Sequence, residues 1–325
     1  MTAATEVLRP AAGAVAGRSA FDLFWARFRE DKVALFGGVV IVLLIFVAIF
    51  GGPIAAHVTG HPNTTAYQTK MEDSFGIPKG PNKQFWFGAD GAGRDLFVRT
   101  MYGARTSLFV GMVASGIAVL VGLVVGLLAG FYGRWIDTLL SRTADVMLAL
   151  PQLLIAIGIV AACGTTKEGC RIGLFGLHLF SIAPGIAVVI AVIALFSWPY
   201  IARIVRGFTL SIREREFVEA SRSLGASNFR IVFREILPNL IGPLLVYTTL
   251  LIPQSILFEA SLSFLGLGVP PETASWGGLL NQASTYYDVA WWLMLFPGLF
   301  LVMTTLAFNL LGDGLRDALD VRADR

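Results

Sequence analysis

The chain has 325 residues; 55% are hydrophobic before its 35 glycines are counted, and only 14% are charged. A soluble globular domain holds about 45–50% apolar residues with glycine included and about 25% charged ones, so composition argues against an ordinary soluble enzyme, a disordered chain and a nucleic-acid binder. The formal net charge of +3 fits arginines gathered on one side of a membrane better than a nucleic-acid surface.

In chain order, Phe21, Phe24, Trp25 and Phe28 recur at helical spacing, with Asp22, Arg27, Arg29 and Glu30 between them. This predicts an amphipathic helix lying in the membrane interface, within a cytoplasmic segment 1–32. A membrane helix needs about 20 apolar residues. Runs of that kind predict six spans inside a transmembrane domain 33–325: 33–56, 107–133, 146–162, 183–202, 240–258 and 289–311. The fold class expected is an all-α, multi-pass membrane protein. The first run exceeds the core of a signal peptide, about 7–15 residues, and reads as a retained span.

Along the second span Ala114, Ala118, Gly122, Gly126 and Gly130 recur every four residues, so they share one face. Small side chains let another helix backbone approach closely, which drives association where the hydrophobic effect does not. Pro151, Pro184, Pro199, Pro243, Pro253 and Pro297 lie in or beside the later spans and predict kinks. Cys163 and Cys170 are the only cysteines. They fall in a short loop on the outer side, where oxidation is permitted, and either close that loop as a disulfide or stand as free thiols.

Lysine and arginine set the orientation. Segment 1–32 carries five, the loop between spans four and five carries seven arginines, and the loop between spans five and six carries none. Both termini are therefore expected in the cytoplasm, with a long loop 57–106 outside.

No lysine stands in a phosphate-binding Walker pattern, so ATP is not expected on this chain. His57 and His61 sit beside glycine and proline in a loop and do not make a metal site. The spans read as free of mid-membrane charge, which proton- and ion-coupled transporters require. Glu259 is the exception; it is predicted to mark the outer end of span five as a gate residue, with 260–269 as a short helix dipping into the membrane. A pore with no visible energy source points to a partner docking at the arginine-rich loop. A self-contained secondary transporter or channel would need coupling charges or a clear inverted repeat, and an intramembrane enzyme a catalytic pair within the spans; neither feature is found.

Loop 203–238 reads Glu219-Ala220-Ser221, then Gly225, then Leu237-Pro238. This resembles the EAA loop of permease subunits of ATP-binding-cassette importers. Ser221 departs from the usual second alanine, and Glu235 from a frequent isoleucine. Further segments resemble the C-type permease of oligopeptide, dipeptide and nickel importers: Phe87-Gly88-Ala89-Asp90 with Gly93-Arg94-Asp95-Leu96, then Ser261 through Gly268 followed by Ser275-Trp276-Gly277, and Phe308-Asn309-Leu310-Leu311-Gly312-Asp313. The resemblance implies the type I importer fold in a bacterial inner membrane. It implies a heterodimer with a homologous B-type permease, two ATPase subunits carrying ATP and magnesium, and an extracytoplasmic peptide-binding protein. Glu219, Ala220, Ser221, Gly225, Leu237 and Pro238 would couple to the ATPases, with Arg203 and Arg206 anchoring the entry. The cargo would be oligopeptides or dipeptides, with nickel or another small solute as the alternative.

Overall fold

The structure, a computed structural model, describes residues 20–163, 170–174, 177–183 and 185–319, with only the backbone described for 20–23 and 170–181. Among the described residues five helical segments are long and apolar enough to cross a membrane: Lys32–Thr59, Leu96–Tyr132, Ile186–Arg213, Asn228–Phe264 and Trp291–Leu319. The elements in order are α1 Ala20–Glu30, α2 Lys32–Phe46, a π-helical turn Val47–Gly51, α3 Gly52–Thr59, α4 Gln68–Met71, α5 Leu96–Tyr132, α6 Arg134–Ala149 and α7 Gln152–Cys163. A two-stranded antiparallel hairpin follows, β1 Cys170–Leu174 and β2 Leu177–Ile182. Then come α8 Ile186–Arg213, α9 Glu216–Ser223, α10 Asn228–Arg230, a second π turn Ile231–Ile236, α11 Leu237–Phe264, α12 Trp276–Thr285 and α13 Trp291–Leu319. The hairpin is a small departure from the all-helical expectation. One end of the bundle, carrying α1, α9 and α10, is its basic end; the far end holds residues 60–95 and α12.

The first, second, fourth, fifth and sixth predicted spans correspond to long helices that extend beyond the apolar runs. The third does not form one straight span. Pro151 cannot donate a backbone hydrogen bond and drives the residue before it out of the helical region; Leu150 is extended at φ −73°, ψ 142°. The chain breaks there, and α6 and α7 meet at 86°. α7 alone has 12 residues, about 18 Å at 1.5 Å per residue, well short of a hydrocarbon core of about 30 Å.

α1 does more than lie along an interface. Phe28 is buried against Ala34 and Ala318, with Phe24, Leu311 and Leu315 around them. The side with Trp25, under the Arg29 guanidinium at 5.3 Å, stays exposed. Asp31 then caps α2, its Oδ1 accepting from the Val33 and Ala34 amides at 2.9 and 3.0 Å, which supplies acceptors that the helix start lacks.

The small-residue face of α5 lies against α8. A methyl group on Gly122 would sit 2.7 Å from Ile201 Cβ, on Gly126 2.6 Å from the Ala202 carbonyl oxygen, and on Gly130 2.7 Å from Thr209 Cβ. Ala114 and Ala118 are fully buried, in clusters that also contain Val192 and Ile201 of α8, respectively. This close approach is the most extensive helix contact among the described residues. α11 packs on the same helix, where Ser115 Oγ donates to Ser255 Oγ at 2.9 Å, and α13 seats α2 through Gly37 and Gly314.

Candidate functional site

The basic end presents one short helix on a rigid mounting. α8 runs without interruption to Arg213, so only two residues separate it from α9. Within α9 Val218 is fully buried, in a cluster with Phe131, Ile212, Ile231 and Ile236; this single apolar residue fastens the helix to the ends of α5, α8 and the π turn. Glu219 and Ala220 face solvent, and Ser221 is half-buried. The acidic residues Glu216 and Glu219 occupy the first turn, where they complement the positive end of the helix dipole.

Gly225 ends the helix in a Schellman turn. The Ala226 amide donates to the Ser221 carbonyl and the Gly225 amide to the Arg222 carbonyl, both at 3.0 Å. Gly225 has φ +79°, and nothing lies within 4 Å of where its Cβ would be. Conformation rather than space demands the glycine. Gly225→Ala is therefore expected to cost about 1–2 kcal/mol, and Gly225→Asn distinctly less, read as the difference in thermal unfolding midpoint of the purified protein.

The chain returns through Ser227, whose Oγ caps α10, and through the π turn to Leu237 and Pro238. These two occupy the first positions of α11, where proline's missing donor is harmless. Ser221 Oγ donates to Glu235 Oε1 at 3.3 Å, so the two departures from the EAA pattern touch each other across the turn. Sequence reading found no use for Glu235.

Arg203 and Arg206 do not reach α9; they tie α8 to α6. Arg206 Nε and Nη2 grip both oxygens of Asp137, the second at 2.7 Å, and Arg203 Nη2 donates to Asp145 at 2.7 Å. The residue that anchors the entry to α9 is Arg213, which sequence reading passed over. Its Nη1 donates to the Gly130 and Phe131 carbonyls at 3.1 Å each, capping the open end of α5 with a cation. Arg213, Arg134 and Arg222 line a cleft of about 520 Å³ together with Glu214 and Glu219.

At the far end Glu259 is not a terminal residue. It lies inside α11, five residues before its end, and is fully buried. Ser107 Oγ of α5 donates to it at 3.1 Å and Ser263 Oγ at 2.6 Å, and the Trp276 amide of α12 donates to that same Ser107 oxygen at 3.2 Å. Glu259 thus knots three helices together. The short extra helix is α12 rather than 260–269. Its start fits so closely that a methyl on Gly277 would lie 2.6 Å from Ala260 Cα, and the Trp276 indole donates to the Thr100 carbonyl at 3.1 Å.

Buried charge also appears in residues 88–99. Asp90 Oδ1 accepts from the Ala92 and Arg94 amides at 2.9 Å, and its Oδ2 from Arg94 Nε at 2.9 Å. Arg99, 1% exposed, brings Nε to 3.1 Å from that carboxylate and donates from Nη2 to the Pro271 carbonyl at 3.0 Å. Asp95 caps α5 and meets His61 Nδ1 at 2.7 Å, and the His61 ring stacks on Phe85 at 4.3 Å. Burial and the negative Asp95 push the neighbouring Tyr67 phenol above its ordinary pKa. Glu259, the exception read from sequence, is thus a titratable group buried inside α11, and Arg99 is buried in the first turn of α5, before the predicted span 107–133; the contacts of both are structural. Cys163 closes α7 and is disulfide-bonded; the Cys170 side chain lies outside the described residues, and the predicted Cys163–Cys170 pairing with it.

Comparison with known proteins agrees with this arrangement. Residues 122–325 match the family described as the binding-protein-dependent transport system inner membrane component, and residues 19–72 match the N-terminal TM domain of oligopeptide transport permease C. The chain is 42% identical over 303 residues to the glutathione transport system permease protein GsiD of Escherichia coli O6:K15:H31, covering 93% of this chain and 91% of the relative. The protein of the same name in Shigella sonnei aligns equally well. Among solved structures, inward-facing forms of the MetNI methionine ABC transporter superpose with TM-scores of 0.50 and 0.51 at 20% identity, covering 66% of this chain and 94% of theirs, which supports the type I importer fold. A bundle of this fold with a family match over most of its length is a multi-pass transport subunit: the protein belongs to the binding-protein-dependent transport system inner membrane components, the permease subunits of ABC importers, whose ATPase resides on other chains.

Proposed function

We propose that this permease imports short peptides, with its basic end in the cytoplasm and α9 seated in a groove of an ATPase subunit. The observation that carries the reading is the mounting of α9. Val218 and the Schellman turn hold it rigidly, while Phe217, Leu224 and Phe229 remain 40%, 88% and 72% exposed around it. Large apolar side chains left in water beside a charged cleft mark a protein-binding surface. Movement of that surface passes directly into α8 and α11, because α9 lies between them with no flexible linker.

The arginine asymmetry supports cytoplasmic termini. A homologous B-type permease completes the path, two ATPase subunits take ATP and magnesium, and an extracytoplasmic binding protein delivers the cargo. The name of the glutathione relatives and the oligopeptide-permease match at 19–72 support a peptide cargo, since glutathione is itself a tripeptide. Nickel is the competing cargo.

Glu219→Lys tests the reading. It places a cation among Arg134, Arg213 and Arg222 and reverses the favourable charge at the start of α9. ATP-driven uptake of a labelled di- or tripeptide is expected to fall about tenfold or more, equivalent to at least about 1.4 kcal/mol of coupling, while membrane insertion is unchanged. Undiminished uptake would contradict the role of α9, and nickel uptake without peptide uptake would replace the cargo.

A further inference from the structure

We propose that Gln254 of α11 and Asn309 of α13 form an uncharged amide belt lining the hydrated translocation path, where they hydrogen-bond the backbone of a passing peptide. This rests on the reading above, that the chain supplies half of a peptide path.

Apart from Asn228 and Asn239 at the start of the Asn228–Phe264 segment, these are the only Asn or Gln residues in the five long spans. Both are exposed, and neither side-chain amide has a hydrogen-bond partner among the described residues. They stand at one level. A methyl on Gly312 would meet Leu250 at 2.8 Å and Thr249 Oγ1 at 3.1 Å, and Ala307 and Phe308 pack with Ile256. Asn309 therefore lies across from the stretch of α11 that holds Gln254. Leu257, one turn from Gln254, shares with Thr305, Leu306 and Asn309 a groove of about 300 Å³ between the two helices.

The exposed faces of the bundle are otherwise largely apolar, those of α11 and α13 included, where Leu257, Val302 and Leu306 lie near the amides. The first span shows Val39, Val42, Phe46 and Ile49, and α5 shows Leu120, Val124 and Leu128; both suit lipid or an apolar partner. An unpaired amide facing hydrocarbon costs about 1–3 kcal/mol by protein mutational measures, and more on alkane scales. Polar groups at this depth turn to water or protein and mark solute pathways. A side-chain amide offers a donor and an acceptor together, the same pair that a peptide bond presents. Recognition of that kind is blind to the cargo's side chains. The amides themselves carry no charge; on α11 and α13 the stretches 240–264 and 291–312 hold a single charged residue, the buried Glu259, and the exposed Asp313 follows one turn after Asn309.

Gln254→Cys, Asn309→Cys and, as a comparison on a wholly apolar exposed face, Leu120→Cys can be made in the assembled transporter in membrane vesicles. Each is treated with a membrane-impermeant thiosulfonate, with and without ATP and vanadate to sample both states, and labelling is counted above that of the unaltered chain. Both path cysteines are expected to react about tenfold faster than Leu120→Cys or more in at least one state, because the reactive thiolate forms only where water reaches. A saturating di- or tripeptide is expected to slow them. Rates equal to that of Leu120→Cys in both states overturn the belt, as would an amide paired with the second permease; rapid reaction that peptide does not slow overturns the backbone contact. ATP-driven peptide uptake by the unaltered transporter in the same vesicles is read separately. Its absence sinks the peptide-importer reading, whereas unreactive cysteines beside normal uptake sink the belt alone.

Discussion

Gly126→Leu is expected to destabilise the permease by about 3 kcal/mol or more, while Gly116→Leu on the same helix is tolerated. A Cβ at 126 would lie 2.6 Å from a backbone oxygen of α8 and 2.7 Å from Val205 Cβ. Neither can move without shifting the whole of α8, since Ala202 and Val205 are themselves buried. Overpacking a tight core usually costs about 1–3 kcal/mol and occasionally more. With the obstruction in rigid backbone along the largest helix seam among the described residues, the upper end or beyond is expected, against a total stability of about 5–15 kcal/mol for a typical domain. Gly116 has nothing within 4 Å of its Cβ position, and replacing a helical glycine gains up to about 1 kcal/mol of intrinsic preference. Thermal unfolding of both variants in detergent checks the pair. Equal midpoints would mean that the α5–α8 seam has no energetic weight.

The seam was legible in sequence because its signal is local: five small residues at a spacing of four need no partner to be recognised. The same holds for Gly225, where helix-forming residues stop at a glycine that must adopt positive φ. What stayed hidden depends on residues far apart in the chain. Arg203 and Arg206 stood near the EAA pattern and were assigned to it, yet their acceptors Asp145 and Asp137 lie 58 and 69 residues away on α6. Glu259 marked the end of a hydrophobic run, because hydropathy registers a carboxylate without the serines, 152 residues away and one turn away, that bury it. The α6–α7 break had its own signal in Pro151, but an apolar run carries no information on direction, so 146–162 looked like one straight span. Gln254 and Asn309 made no impression as single amides; only their common level and exposure set them apart.

Asp90→Asn is expected to destabilise the far end by about 3 kcal/mol or more, and Arg99→Met in the same chain to recover over half of that loss. Asparagine can still accept from the Ala92 and Arg94 amides through Oδ1, so the turn itself survives. What is lost is the counter-charge to Arg99, which is 1% exposed. Breaking a buried ion pair from one side costs about 3–5 kcal/mol, because the remaining charge is stranded, whereas replacing both partners by groups of similar volume is often nearly neutral. Arg94 lies on the same carboxylate but is 15% exposed at its side chain, enough to turn its guanidinium toward solvent. Recovery stays incomplete because Arg99 Nη2 also holds the Pro271 carbonyl, fixing the loop that leads into α12. A double-mutant cycle on unfolding free energy measures the coupling. Additive losses would mean that Asp90 acts only by shaping its turn, and Arg99 would then owe its burial to the Pro271 contact rather than to the charge beside it.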